Sequence, residues 1–270
     1  MADWPALFRS LHAAQFSSNF IGGVEGVDPG ELLSQTRLLL AERPRTRAEL
    51  GRLLGERWPD AEPRALAYAA THLLVLCQVP PRGVWGKGGI ATWAPLEQWL
   101  GAPLGRARAD ELVLRYLGAF GPATVADVQA WSGLTRLREV VERLPLRTFG
   151  GQAGQVLHDL PDAPRPAEDS PAPPRFLPEY DNLLLSHKDR TRVIPHDRPV
   201  PLPPGNGASA GTLLIDGLWQ GSWQLRDQTL RILPYVRLGQ ADRDALLAEA
   251  ARLCAFAAPH AAHDIMLDEP

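Results

Sequence analysis

Apolar residues recur at helical spacing in two successive blocks of the chain, and each block ends in two short strand patterns. The first block predicts three helices and a hairpin, over Asp28 to Pro44, Thr46 to Arg57, Glu62 to Leu76 and Gln78 to Trp93. The second block predicts the same order, over Ala109 to Phe120, Thr124 to Trp131, Leu134 to Leu144, Leu146 to Phe149 and Val156 to Asp159. The chain therefore contains an internal structural repeat.

A short motif marks the same helix start in both blocks. Residues 44–50 read PRTRAEL and residues 122–128 read PATVADV, so each has a threonine followed three positions later by a carboxylate. Thr46 with Glu49 is the pattern of a capping box, whereas the shorter Asp127 after Thr124 is expected mainly to complement the helix dipole. Three helices followed by a hairpin is the order of a winged helix-turn-helix. We predict two such units in tandem, residues 28–104 and 105–160.

The pattern changes after the second block. Six prolines in residues 161–175 predict a linker. From Phe176 the pattern is typical of strands and predicts five, over Asn182 to Leu185, Arg190 to Ile194, Gly211 to Asp216, Gly217 to Leu225 and Thr229 to Tyr235. A final helix follows over Gln240 to Phe256. The predicted class is α+β, with a connector helix in residues 1–27 and a β-rich, barrel-like domain in residues 176–270.

Composition and sequence patterns indicate the cellular compartment and the cofactors to be expected. No apolar run approaches the roughly 20 residues that cross a bilayer, and the N-terminus lacks the pattern of a secretion signal, so we expect a cytoplasmic, nucleoid-associated protein and no membrane partner. Cys77 and Cys254 lie far apart in apolar contexts typical of buried thiols. Because no His/Cys cluster and no complete phosphate-binding loop occur, we expect no metal and no small-molecule cofactor. The net charge of −3 leaves a protein-interaction module open.

Basic residues on the third helices, the hairpin tips and one polar segment are the candidate contacts to double-stranded DNA. The polar segment is residues 180–192, which we expect to form a tight connection between two strands. A single arginine is more often part of a solvated helix face, so the candidates are proposed as a set. The set is Arg64, Arg82, Lys87, Arg136, Arg138, His187, Lys188, Arg190 and Arg192.

Four stretches resemble one known family. They are PPRGVWGKGG (80–89), GPATVADVQAWSGL (121–134), FLPEYDNLLLSHKDRTRVI (176–194) and LLIDGLWQGSWQL (213–225). They are similar to the winged-helix DNA-binding family that includes the AlkZ and YcaQ type DNA glycosylases, and the resemblance covers nearly the whole chain from about residue 28. It implies tandem winged helices and a β-barrel-like domain around duplex DNA. In the glycosylase members it also implies removal of N7-alkylated purines and unhooking of interstrand crosslinks without a metal.

The sequence departs from the glycosylases at one place. Those enzymes carry a Gln-x-Gln or Gln-x-Asp motif in an N-terminal winged helix, but here only about 27 residues precede the first unit and Gln15 is followed by Phe16 and Ser17. We therefore expect a naturally shortened member or a truncated start, and no catalytic residue can be assigned. The first hypothesis is a noncatalytic DNA-binding protein. The alternatives are an active glycosylase that uses Glu179 or Asp181, and the protein-interaction module.

Overall fold

The computed structural model divides the chain into two compact units. Unit 1 is Met1–Leu112 and unit 2 is Val113–Pro270. The structure describes residues 23–85, 87–105, 108–195, 210–257, 259 and 263–270. Residues 1–22 of the predicted connector helix lie outside the described residues. None of the described helices is both long and apolar enough to cross a membrane.

Unit 1 is a group of helices against a small antiparallel sheet. Its elements are α1 (Pro29–Glu42), β1 (Arg45–Thr46), α2 (Arg47–Arg57), α3 (Pro63–Leu73), β2 (Leu76–Val79), β3 (Thr92–Pro95) and α4 (Leu96–Leu100). The strand order is β1-β3-β2. Leu50, Leu54 and Leu66 have at most 1% of their surface exposed and form the core with α1. The predicted third helix ends at Leu73 rather than Leu76, because Leu76 begins β2.

Unit 2 begins within α5 (Ala109–Phe120) and continues with α6 (Val125–Ser132), α7 (Arg138–Glu142), β4 (Arg147–Gly150) and β5 (Val156–Asp159). The prediction of a long third helix over Leu134 to Leu144 is wrong, since α7 has only five residues. Arg136 has a φ of 60°, a left-handed conformation that an α-helix excludes. The backbone N–H of Leu137 instead donates to Gln129 Oε1 at 3.0 Å, and the helix begins after it.

The C-terminal part of unit 2 is one five-stranded sheet with a helix packed against it. The elements are β6 (Arg175–Leu177), β7 (Gly211–Ile215), β8 (Leu218–Arg226), β9 (Thr229–Pro234), α8 (Gln240–Ala257) and β10 (Asp264–Leu267). The order is β10-β9-β8-β7-β6, with β10 parallel to β9 and the other pairs antiparallel. The described strands form an open sheet, so the barrel-like expectation is wrong. Leu246, Ala250 and Cys254 of α8 fill the space over the sheet.

Two of the predicted strands are not strands. Asn182–Leu185 is a 3₁₀ helix, because Asp181 Oδ1 accepts a hydrogen bond from the backbone N–H of Leu183 at 2.8 Å and turns the chain. The segment Arg190 to Ile194 is a turn, in which the N–H groups of Val193 and Ile194 both donate to Arg190 O. Backbone groups that bond within the turn cannot join a sheet ladder.

Both helix starts of the repeat form complete capping boxes. Thr46 Oγ1 accepts from Glu49 N at 3.2 Å and Glu49 Oε2 accepts from Thr46 N at 2.7 Å. Thr124 Oγ1 accepts from Asp127 N at 3.1 Å and Asp127 Oδ2 accepts from Thr124 N at 2.8 Å. The predicted helix starts are therefore confirmed. The expectation that Asp127 is mainly a dipole partner is wrong, because its shorter side chain still reaches the cap.

Loss of either capping hydroxyl should destabilise the fold measurably. Thr46→Ala and Thr124→Ala should each lower the free energy of unfolding by about 1 kcal/mol, because each leaves a helix N–H without its acceptor. Urea unfolding followed by circular dichroism measures the change. Thr135→Ala is the control, since Thr135 is exposed between α6 and α7. Equal stability of Thr46→Ala and the control would contradict the capping role.

Candidate functional site

The polar segment 180–192 is buried at its centre and exposed at its end. Ser186 and His187 have 0% and 5% of their surface exposed. Every residue from Lys188 to Arg192 is exposed. We call residues 188–192 the cation loop, because Lys188, Arg190 and Arg192 lie within its five positions. The buried half of the segment is what holds this loop in place.

Tyr116 of α5 holds the buried part of the polar segment in place. Its hydroxyl donates to Ser186 O at 2.6 Å, across 70 positions of sequence. Tyr116 has 1% of its surface exposed and packs against the rings of Phe120 and Trp131. Burial raises the pKa of Tyr116, and the nearby Asp127 charge raises it further, so the hydroxyl stays protonated as the donor.

His187 is a neutral, buried link rather than a surface cation. Nε2 lies 3.0 Å from Phe120 O and Nδ1 lies 2.7 Å from Ser186 Oγ. Arg192 Nη1 lies 3.2 Å from Nε2 and donates to Pro122 O at 3.1 Å. Burial, and then the neighbouring Arg192 charge, lower the pKa of His187. The neutral imidazole of His187 helps to position the guanidinium of Arg192, but it carries no charge that could attract a phosphate.

Asp127 joins the cation loop to the start of α6. Its Oδ2 accepts from Thr124 N and Oγ1, and its Oδ1 accepts from the backbone N–H of Lys188 at 2.9 Å. Burial raises the pKa of this carboxyl, but these hydrogen bonds outweigh burial and the net shift is downward. A buried carboxylate with three donors is a satisfied structural anion. It fixes the backbone of Lys188 relative to the helix.

A cavity of about 320 Å³ lies between the start of α6, the β4–β5 hairpin and the cation loop. Lys188 and Arg192 line it together with Thr124, Ala126, Asp127, Gln155, Leu157, His187 and Asp189. The second carboxylate, Asp189, is also engaged, since its Oδ1 accepts from Thr191 N at 3.0 Å and Thr191 Oγ1 at 2.7 Å. The hydrogen bonds from Thr191 lower the pKa of Asp189. The exposed amino and guanidinium groups are therefore the cationic donors that this cavity offers to an anion.

Three of the nine predicted DNA contacts lie in one loop. Lys188, Arg190 and Arg192 share the cation loop, and His187 lies beneath it. Arg136 and Arg138 are exposed where α7 begins, with Arg138 Nη1 at 3.5 Å from Glu142 Oε1. The remaining candidates, Arg64, Arg82 and Lys87, are exposed in unit 1.

The carboxylates suggested for catalysis lie apart from the cavity. Asp181 caps the 3₁₀ helix, Glu179 is exposed, and neither lines the cavity. Sequence reasoning missed Asp127 and Gln155 as parts of this site. The signal for Asp127 was an aspartate at the third helical position where the first repeat has Glu49. Among the described residues, no group of three His, Cys, Asp or Glu side chains could hold a metal ion.

Comparison with known proteins decides the family. The model of the family described as DNA glycosylase AlkZ-like matches residues 1–256. The chain belongs to the AlkZ-like family. Among solved structures, the DNA glycosylase AlkZ of Streptomyces sahachiroi is similar, with a TM-score of 0.64, 22% sequence identity, and coverage of 91% of this chain and 71% of that one. This likeness concerns the fold. No curated protein matches significantly.

Stability of this AlkZ-like protein should fall as pH falls from 7.5 to 5.5. The pKa of His187 is lowered by burial and that of His158 is lowered by burial as well. In the unfolded chain histidine protonates near pH 6.5, so the unfolded state binds more protons below that value and stabilisation is lost progressively. Urea unfolding at three pH values measures this slope.

His187→Gln should remove part of the dependence of the unfolding free energy on pH, and His158→Gln should remove another part. In the double variant this free energy should change little between pH 7.5 and 5.5. His187→Gln also alters the hydrogen bonds of the His187 ring, but that change affects stability at every pH and leaves the slope informative. A full slope in His187→Gln would contradict the buried neutral state of this ring.

Proposed function

We propose that this protein binds double-stranded DNA and that the cation loop contacts the phosphate backbone. The observation that carries the proposal is a loop with three exposed cations in five residues, held by buried hydrogen bonds to α5 and α6. Membership of a family named for DNA glycosylases supports DNA as the partner. DNA binding would also place the protein at the nucleoid.

The anchored loop suits phosphate binding for an entropic reason. A mobile loop must lose conformational freedom when it binds, and that loss weakens association. Here Asp127, Tyr116 and His187 fix the backbone before any ligand arrives. Lys188 and Arg192 then face a cavity beside the first turn of α6, where the helix dipole also favours an anion.

The net charge of −3 does not exclude this function, because phosphate contacts depend on local charge. From Pro63 to Leu96 the chain has no Asp or Glu, and this stretch contains Arg64, Arg82 and Lys87. We propose that it contributes a second basic surface in unit 1. We also propose residues 28–104 and 105–160 as the two winged helix-turn-helix units, with residues 161–175 as linker to the domain 176–270.

Removing two loop charges should change the salt dependence of binding. For Lys188→Gln/Arg190→Gln we expect weaker binding to a duplex of any sequence, and a slope of log K against log salt that is shallower by about 1.8. Fluorescence anisotropy with a labelled duplex at several salt concentrations measures both. These two side chains are exposed, so stability should be unchanged.

The matched control is Arg226→Gln/Arg243→Gln, which removes the same charge from exposed positions elsewhere in unit 2. An equal effect of both double variants would show that only total charge matters and would reject the loop as a contact. Absence of duplex binding at low salt in the unchanged protein would reject the function itself, and would favour the protein-interaction module.

A second candidate function, favoured by the family match, is excision of N7-alkylated purines or unhooking of crosslinks. It requires a group that activates water or stabilises the sugar cation. Of the two carboxylates suggested from sequence, Glu179 is exposed whereas Asp181 is engaged with Leu183 N. Glu179 is therefore the better candidate for this chemistry.

Purified protein should, under this second candidate, release N7-methylguanine from alkylated duplex DNA and leave alkali-labile abasic sites. Glu179→Gln should abolish release while leaving DNA affinity unchanged. Asp181→Ala should instead lower stability by about 1 kcal/mol, because it removes the carboxylate oxygen that caps the 3₁₀ helix. No release by the unchanged protein leaves binding as the function, and full activity of Glu179→Gln removes this residue from catalysis.

A further inference from the structure

The connection between β2 and β3 exposes large apolar side chains. Val84, Trp85 and Ile90 have 44%, 71% and 79% of their surface exposed within seven positions of sequence. Together with Arg82 and Lys87 we call these residues the hairpin tip. Apolar side chains clustered at an exposed position are costly to leave in water and mark a contact surface.

The hairpin tip is supported by a regular base and defined turns. β2 and β3 pair over four positions, from Leu76 with Pro95 to Val79 with Thr92. Beyond them, Val84 N donates to Pro81 O at 3.2 Å and Lys87 N donates to Val84 O at 3.0 Å. Gly83 has a φ of +79°, which a residue with a side chain rarely adopts. The tip is thus a hydrogen-bonded turn that contains the exposed Trp85.

The charges around the tip identify the kind of partner. Arg82 and Lys87 are exposed, and Arg82 Nε donates to Gln78 Oε1 at 3.4 Å. The tip lies in the stretch from Pro63 to Leu96 that contains no carboxylate. An aromatic residue between two cations in sequence matches a ligand that combines phosphates with flat bases, which is the composition of a nucleic acid.

We infer that the hairpin tip is an apolar wedge that enters the minor groove of duplex DNA, with Trp85 against the bases and Arg82 and Lys87 on the flanking phosphates. This inference rests on the proposed DNA binding and adds a base contact that the cation loop does not supply. Insertion of an apolar side chain opens a base step and partly unstacks it. The wedge therefore predicts a change in the DNA as well as an affinity.

The test uses the full chain and duplexes with 2-aminopurine at successive positions, because the fluorescence of this base rises when it is unstacked. Binding of the unchanged protein should raise the signal at one or more positions. Trp85→Ala should abolish the rise and weaken binding by about five- to 100-fold. Trp85→Phe keeps a flat ring and should retain most of the rise.

Trp99→Ala is the matched control, since Trp99 is 52% exposed on α4 of the same unit but lies outside the tip. It should bind and perturb DNA like the unchanged protein. Thermal unfolding should give the same Tm for both alanine variants, because both side chains are largely exposed.

The outcomes separate this inference from the proposed function. Salt-dependent binding without a 2-aminopurine signal, or an unchanged signal in Trp85→Ala, overturns the wedge and leaves DNA binding in place. A change of oligomeric state in Trp85→Ala with unaltered DNA binding identifies the tip as a protein contact, which also overturns it. If the unchanged protein does not bind duplex DNA, both proposals are wrong.

Discussion

The carboxylate of Asp127 is the constraint on which the candidate site depends. Burying it is costly in free energy, and only three hydrogen bonds, two from Thr124 and one from Lys188 N, make the buried anion stable. The same carboxylate accepts hydrogen bonds at the start of α6 and from the backbone N–H of Lys188, the first residue of the cation loop. The helix start and the loop therefore cannot shift independently, and the cavity between them keeps its shape before a ligand binds.

The division between buried and exposed polar groups explains how a chain with a net charge of −3 can present cations. Asp127 and Asp189 both lie at the cavity, but each carboxylate is already bonded to neighbouring donors. Neither forms an ion pair with Lys188 or Arg190. His187 complements this arrangement, because its neutral ring fills the interior without adding a buried charge. The side chains that remain exposed at this site are therefore available to an anion.

Short sequence patterns were sufficient to predict those elements that depend on hydrogen bonds between residues close in sequence. The two capping boxes need only residues three positions apart, and short apolar runs between turn residues predict β7 to β9. The site was predicted less well because its decisive contacts are distant in sequence, such as Tyr116 with Ser186 and His187 with Phe120. The short apolar runs at the two ends of the segment 182–194 were interpreted as strands, whereas Asp181 and Arg190 O accept hydrogen bonds that turn the backbone. The left-handed conformation of Arg136 had no visible signal at all.

The two proposed DNA contacts differ in physics and so in what each can recognise. Cations on phosphates respond to salt and are indifferent to base identity. An apolar wedge responds to the cost of unstacking a base step, which is lowest where a base is damaged or mispaired. The cation loop would then hold the protein on any duplex, whereas Trp85 would favour steps that open easily. Under this division, discrimination of weakened DNA comes from unit 1 and salt-sensitive affinity largely from unit 2, so each can be altered without the other.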